Sequence, residues 1–121
     1  MMLAMACSSV KAEWIEVDKN YGLAIYVNPA TIFKNGTTVK IWEVRDFNFT
    51  QTDVEGNQYV SIMIQKNFDC ERKRYRISNF SYHAENMGYG RVIYNSPKFR
   101  GWREVAKLSV VDVEKKIACG E

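Results

Sequence analysis

The residues able to do chemistry fall into two small groups. The chain's one histidine, His83, follows Tyr82 and lies two places before Glu85. Such a trio could act as an acid–base group, or Tyr82 and His83 could ligate a haem iron. No nucleophile is positioned beside it, and G-x-S-x-G, H-E-x-x-H, phosphate-loop and G-x-G-x-x-G patterns are all missing. A lone strand histidine is usually solvated, so His83 is expected to be exposed and without a catalytic task. The second group is Arg72-Lys73-Arg74-Tyr75-Arg76, in which an aromatic interrupts a basic run. On a sheet, this pattern suits a polyanion or a single-stranded nucleic acid by charge and stacking. The plainer reading is a solvated strand whose charges guard the sheet against edge pairing. In an exported chain, an acidic glycan or acidic protein patch is a better ligand than nucleic acid. The candidate binding residues are therefore Arg72, Arg74, Tyr75, Arg76, Tyr82 and His83. No catalytic residue, metal site or cofactor is expected.

The elements that must hold these residues start with Val60–Cys70. Val60, Ile62, Ile64, Phe68 and Cys70 share one parity, and Ser61, Gln65, Asn67 and Asp69 share the other. A period of two makes this a β-strand with one apolar face, interrupted only by Lys66. Cys70 ends the strand with its sulfur toward the core. Cys119 follows a short helical pattern, and the two are read as a disulfide tethering that helix. The long loop it closes gives about 2–4 kcal/mol of stabilisation. Free buried thiols would replace it in a reducing compartment, and a metal role lacks any CxxC partner.

The N-terminus bears on the same point. Met1 to Cys7 is apolar, and Val10-Lys11-Ala12 precedes Glu13, which resembles the end of a signal peptide cut after Ala12. Residues 1–12 are read as a signal-peptide remnant and 13–121 as one domain. Cleavage there removes Cys7 and leaves an even pair in a small exported chain. A second reading makes Cys7 a lipid-bearing cysteine, but Ala4 and Met5 stand where lipoprotein signals favour Leu and a small residue. An ordinary cytosolic start ranks third.

Elsewhere the pattern is of short strands and turns. Trp14–Asp18 and Leu23–Val27 read as strands, the second broken at Asn28-Pro29 and followed by a helical turn over Pro29–Phe33. Asn35-Gly36 is a turn. Thr37–Phe49 is the longest β-like run, with Val39 and Ile41 on one parity and Trp42 and Val44 on the other, so both faces are partly covered or a bulge intervenes. Arg74–Ala84 places Tyr75 and Ile77 on one face and Phe80 and Tyr82 on the other. Arg91–Tyr94 is a last strand. Ser109 can cap a helix with Asp112 in the box position, and Val110, Val113 and Ile117 give its apolar stripe. The architecture expected is α+β: one antiparallel sheet of about six strands with a C-terminal helix on one face.

Composition limits the function classes. The chain has 121 residues, 46% hydrophobic, with a net charge of +3. That suits one globular domain and is too weakly basic to argue for nucleic acid. No apolar run approaches the roughly 18 residues of a membrane span. Aromatics reach 13%, and the tyrosines on polar strand positions (Tyr59, Tyr75, Tyr82, Tyr94) suggest a contact surface.

Several short motifs occur in a particular order: Glu13-Trp14, Tyr26-Val27-Asn28 with Thr31-Ile32, Val39–Trp42, Tyr59–Ser61, Phe68–Cys70 with Arg74, Gly88-Tyr89-Gly90, Trp102–Val105, and a last Cys119. Over Glu13–Cys119 the chain resembles the surface-adhesin protein E family of Gram-negative bacteria. Lys107-Leu108 stands where members often carry Pro before the last helix. The resemblance implies six antiparallel strands, a disulfide-tethered terminal helix and a homodimer. It also implies export to the periplasm or outer-membrane surface, and a non-enzymatic adhesin contacting extracellular-matrix or envelope proteins. The alternative weighed is a periplasmic domain that binds a small, haem-like ligand or acts as an inhibitor.

Overall fold

The computed structural model describes residues 13–121, so cleavage after Ala12 and the role of Cys7 lie outside the described residues. In chain order the elements are β1 (Ile15–Asn20), β2 (Leu23–Asn35), β3 (Thr38–Thr52), β4 (Gln58–Asp69), β5 (Arg74–His83), β6 (Val92–Ser96), β7 (Arg103–Glu104) and α1 (Val110–Cys119). Strands β1 to β6 lie side by side in that order, all antiparallel. The outer edge of β5 is shared: β6 pairs with Phe80–His83 and β7 with Arg74–Tyr75. Residues 76–79 lie between the two, bridged by the Arg100 amide donating to the Ile77 carbonyl at 2.8 Å.

The helix side of the sheet follows from the period of two. Val27, Val39, Ile41 and Phe68 are buried there with Ala118 of α1, and Val111, Ile117, Tyr75 and Val105 pack around them. The Cys70–Cys119 disulfide forms, closing a separation of 49 residues, with an S–S distance of 2.01 Å. Ser109 caps the helix, its hydroxyl accepting from the Asp112 amide at 3.1 Å, and Gly120 ends it in the left-handed region at φ 75°. A glycine fits there because it has no Cβ to clash.

Four local expectations are corrected. β2 does not break at Asn28-Pro29 but runs on to Asn35, with its register shifted between Asn28 and Phe33. Pro29 is tolerated because it sits in that irregular stretch, where no ladder bond is asked of it. Thr31 fills the gap: its hydroxyl donates to the Asn28 carbonyl at 2.6 Å and accepts from the Trp42 amide at 3.0 Å. Second, Tyr75, Ile77, Phe80 and Tyr82 do not alternate between faces. They pair with Phe68, Lys66, Ile64 and Ile62 of β4, one parity, because Ser78 is an extra residue that shifts the register. Third, of the expected stripe Val110, Val113 and Ile117, only Ile117 packs on the core. Val113 is exposed, and Val111, Glu114 and Ala118 turn inward, one position round the helix. Fourth, the region after Trp102 adds a short strand, β7.

Both faces of β3 are covered, as one of the two readings allowed, with unbroken β3–β4 register over Thr38–Asp46. On the face away from the helix, the turn at Asn86–Gly88 folds back over β3 and β4. Met87 and Gly88 amides donate to Asp46 Oδ1 at 2.8 Å and Ser61 Oγ at 2.9 Å. Gly88 suits the turn: its φ of 79° lies in the left-handed region, and a Cβ there would also press on the Met63 side chain.

Candidate functional site

Lys66, the one interruption in the apolar parity of β4, lies under the helix with 1% of its surface exposed. Its ammonium donates to Glu43 Oε2 of β3 at 2.8 Å and to Glu114 Oε1 of α1 at 2.7 Å. Glu43 also accepts from Arg45 Nε at 2.9 Å. Burial opposes the charge on Glu43, but Glu114, Lys66 and Arg45 together hold its carboxyl down at about 2. Burial, and then the neighbouring Glu43, push Glu114 up to about 8 against the pull of Lys66. Near neutrality Glu114 is therefore a carboxylic acid held among an anion and a cation. It is enclosed, so this triad is part of the core and does not face a ligand.

The structure separates the residues singled out in the sequence. Arg74 and Arg76 point away from the helix, and Tyr75 between them points toward it, against Phe68. Both guanidiniums lie over the Trp102 ring, at 4.5 and 4.4 Å from its centroid, and Arg76 is also over Phe99 at 4.3 Å. Cations over aromatic faces are attracted by the ring quadrupole, and stacking leaves the guanidinium edges free to donate. Arg74 and, more distantly, Arg72 reach Asp69 at 3.2 and 3.9 Å. Partial burial would raise Asp69, yet the Arg72 amide and the Arg74 guanidinium keep its carboxyl below the usual range. Arg76 Nε is buried with no hydrogen-bond partner.

Sequence reasoning missed the other half of this edge. Residues 98–103 repeat the same interleaving of basic and aromatic side chains (Lys98, Phe99, Arg100, Trp102, Arg103) that drew attention to residues 72–76. That repetition was the available signal. Arg100 stacks on Phe80 at 5.1 Å. Between these segments, a cleft of about 110 Å³ is lined by Tyr75, Arg76, Ile77, Arg100, Gly101 and Arg103. Past β7 lies a groove of about 390 Å³ between α1 and the β4–β5 turn, with Lys73, Lys107 and Lys116 on its walls.

Tyr82 joins a different group. It stacks on Tyr59 with centroids 4.0 Å apart and contacts Phe80 and Tyr94 at 5.7 and 5.6 Å; Phe47 meets Tyr59 edge-on at 6.2 Å. Burial, then Tyr59 and Asp53, keep the Tyr82 phenol above its ordinary value and so neutral. Tyr94 is 42% exposed. This cluster occupies the half of the helix-side face that α1 leaves open.

His83 is not solvated as expected. It is buried, points to the face opposite Tyr82, and shares a 2.7 Å hydrogen bond between Nε2 and Ser81 Oγ. Its Nδ1 is buried without a partner, and burial lowers its affinity for a proton. The Asn86–Gly88 turn, which follows it, covers this face and supplies the burial. Adjacent strand positions set Tyr82 and His83 on opposite faces, so they cannot grip one iron between them. Among the described residues no group of three or more His, Cys, Asp or Glu could hold a metal ion, and no helix is long and apolar enough to cross a membrane.

A comparison with curated proteins returns no match. The fold closely matches solved structures of Haemophilus influenzae protein E. One aligns with a TM-score of 0.73 at 17% identity, covering 99% of this chain and 92% of that one. A second crystal form gives 0.74 at 14% identity, covering 98% and 97%. Protein E from non-typeable Haemophilus influenzae gives 0.68 at 14% identity, covering 93% and 79%. These likenesses establish the fold. The model of the family described as surface-adhesin protein E matches residues 14–120, and the chain therefore belongs to the surface-adhesin protein E family.

Proposed function

We propose that this domain is an exported, non-enzymatic binding module of the adhesin type, displayed in the periplasm or on the outer-membrane surface. Family membership supports the adhesin role. The observation that carries the contact surface is the aromatic cluster on the open half of the sheet, where Tyr82, Tyr59, Phe80 and Tyr94 pack on one another while Tyr94 stays 42% exposed. Tyrosines held rigid by their neighbours give large contact area at small entropic cost, and such residues dominate protein interfaces. The partner is an extracellular-matrix or envelope protein. A second copy of the chain is another occupant of the same face.

Surface plasmon resonance against purified matrix and envelope proteins tests this. Tyr94→Ala should weaken the best binder about 30-fold, equivalent to the roughly 2 kcal/mol of an interface hot spot, and leave the thermal melt unchanged. Undiminished binding by Tyr94→Ala and by Tyr82→Ala would remove the contact from this face. Sedimentation of the two variants reads the homodimer in the same way.

A further inference from the structure

We infer that the outer edge of β5 is a binding track for a linear sulfated polysaccharide, with one sulfate seated between Arg100 and Arg103. Residues 69–76 and 98–107 bring eight lysines and arginines to this edge against three carboxylates (Asp69, Glu71 and Glu104). The net charge of the whole chain is only +3, so the edge is more basic than the molecule that carries it. Long-range attraction of a polyanion follows from such focusing.

Charge alone would attract any anion. The cleft adds geometry. Its volume of about 110 Å³ suits one small oxyanion group, and no acidic residue lines it. Among the described residues, Arg76, Arg100 and Arg103 make no salt bridge. Arg103 pairs with Tyr75 and so shares a face with Arg100, which stacks on Phe80, while the Arg76 guanidinium lies on the opposite face against Phe99 and Trp102. Arg100 is held by the Phe80 ring and by hydrogen bonds to the Lys98 carbonyl at 2.7 Å and Ser96 Oγ at 2.9 Å, which leaves further N–H groups unused. Guanidiniums fixed by aromatic rings and by neutral acceptors are oriented donors whose charge is uncompensated. That arrangement favours fork-type bonds to an oxyanion.

A polysaccharide is favoured over a free anion because cationic sites continue past β7. Lys73, in the β4–β5 turn, opens the larger groove, where Lys107 is a second unpaired cation, Lys116 is shared with Asp112 at 3.5 Å and Lys115 with Glu121 at 2.7 Å. The two clefts are separated by β7, joined to the β4–β5 turn by the Val105 amide donating to the Lys73 carbonyl at 3.0 Å. Two neighbouring basic clefts on one edge match a polymer that repeats its sulfates.

Binding of a heparin-derived oligosaccharide by the purified protein, followed calorimetrically at several salt concentrations, tests the assignment. Affinity should fall steeply with salt, as ion release requires. Arg103→Gln should weaken binding about tenfold, and Arg100→Gln with Arg103→Gln further, while Lys19→Gln on β1, at the opposite edge and end of the sheet, removes the same charge without effect. Arg103→Lys should rescue only partly. Arg103 is exposed and unpaired, so its variants keep the fold, which a thermal melt verifies. Inorganic sulfate should compete weakly. Equal loss in Lys19→Gln, equal binding of desulfated oligosaccharide, or binding of an acidic peptide without heparin would each overturn the proposal. The protein-binding role rests on Tyr82 and Tyr94 and is read by different variants, so either can fail alone.

Discussion

The helix-side face of the sheet has two halves built from the same strands. Under α1, the face is closed by Val27, Val39, Ile41, Phe68 and Ala118 and carries the Glu43–Lys66–Glu114 triad. Beyond it, the face carries Tyr59, Phe80, Tyr82 and Tyr94 and has no helix over it. The polar group is sealed in, and the aromatic group is left partly in water. The two halves answer to different demands. The closed half must satisfy every charge it buries. The open half can keep apolar surface for a partner.

The sharpest way to break this contrast is to disturb the triad. Lys66→Ala leaves two carboxyl groups buried without their cation and should lower stability by about 3–5 kcal/mol in urea melts. Replacing all three residues together (Glu43→Leu, Lys66→Met, Glu114→Leu) should recover most of that loss, because a buried ion network gains little over well-packed apolar groups. A triple variant as unstable as Lys66→Ala would mean that the charges themselves hold α1 in place.

The disulfide comes next. Cys70→Ser should cost about 2–4 kcal/mol. Read alone, the sequence suggests that the helix frees itself while the sheet persists. The burial of Glu114 and Ala118 changes that expectation. Hydrogen exchange should show protection falling together over Val111–Ala118 and the strand segments beneath, Val39–Glu43 and Lys66–Phe68, and staying higher over Ile62–Ile64. Loss confined to α1 would restore the simpler division.

The pH dependence separates the two faces. Glu114 holds its proton in the folded state up to about 8 and loses it in the unfolded chain near 4.5. Its contribution is complete below 4.5 and declines as pH rises toward 8, by up to about 1.4 kcal/mol per pH unit. Glu114→Gln should abolish that decline. His83 acts in the opposite direction, because burial lowers its pKa below 6.5. Its contribution is present above 6.5 and is lost as pH falls through the lowered value. His83→Ala should flatten this acid limb and, since the ring is buried, cost about 1 kcal/mol, more than an exposed substitution. Unchanged acid sensitivity would mean that the ring is solvated after all.

These contrasts show what could be read from residues alone. The parity of β4, the cysteine pair and the cap at Ser109 are local patterns, and each is present in the fold. Lys66 was visible as an interruption, but its partners lie on β3 and α1, distant in the chain. Nothing local says that Glu43 and Glu114 converge on it. The bulge at Ser78 was invisible for the same reason: it is defined by pairing with Gln65 and Lys66. It moves Phe80 and Tyr82 onto the face of Tyr75, and with them the whole open aromatic half. The burial of His83 depends on a turn that folds back across the sheet, which strand periodicity cannot register.

The covalent link has a mechanical consequence. Arg72 to His83, Tyr94, Arg100, Trp102 and Arg103 all lie in the chain between Cys70 and Cys119. A pull applied before Cys70 and after Cys119 passes through the sulfur–sulfur bond into the end of β4. The intervening 48 residues, a figure that follows from the separation of 49, are short-circuited and carry no tension. Drag on a molecule held at its surface would load β1 to β4 first, Tyr59 included, and the segment that carries Tyr82, Tyr94 and the basic edge would keep its shape until those strands part.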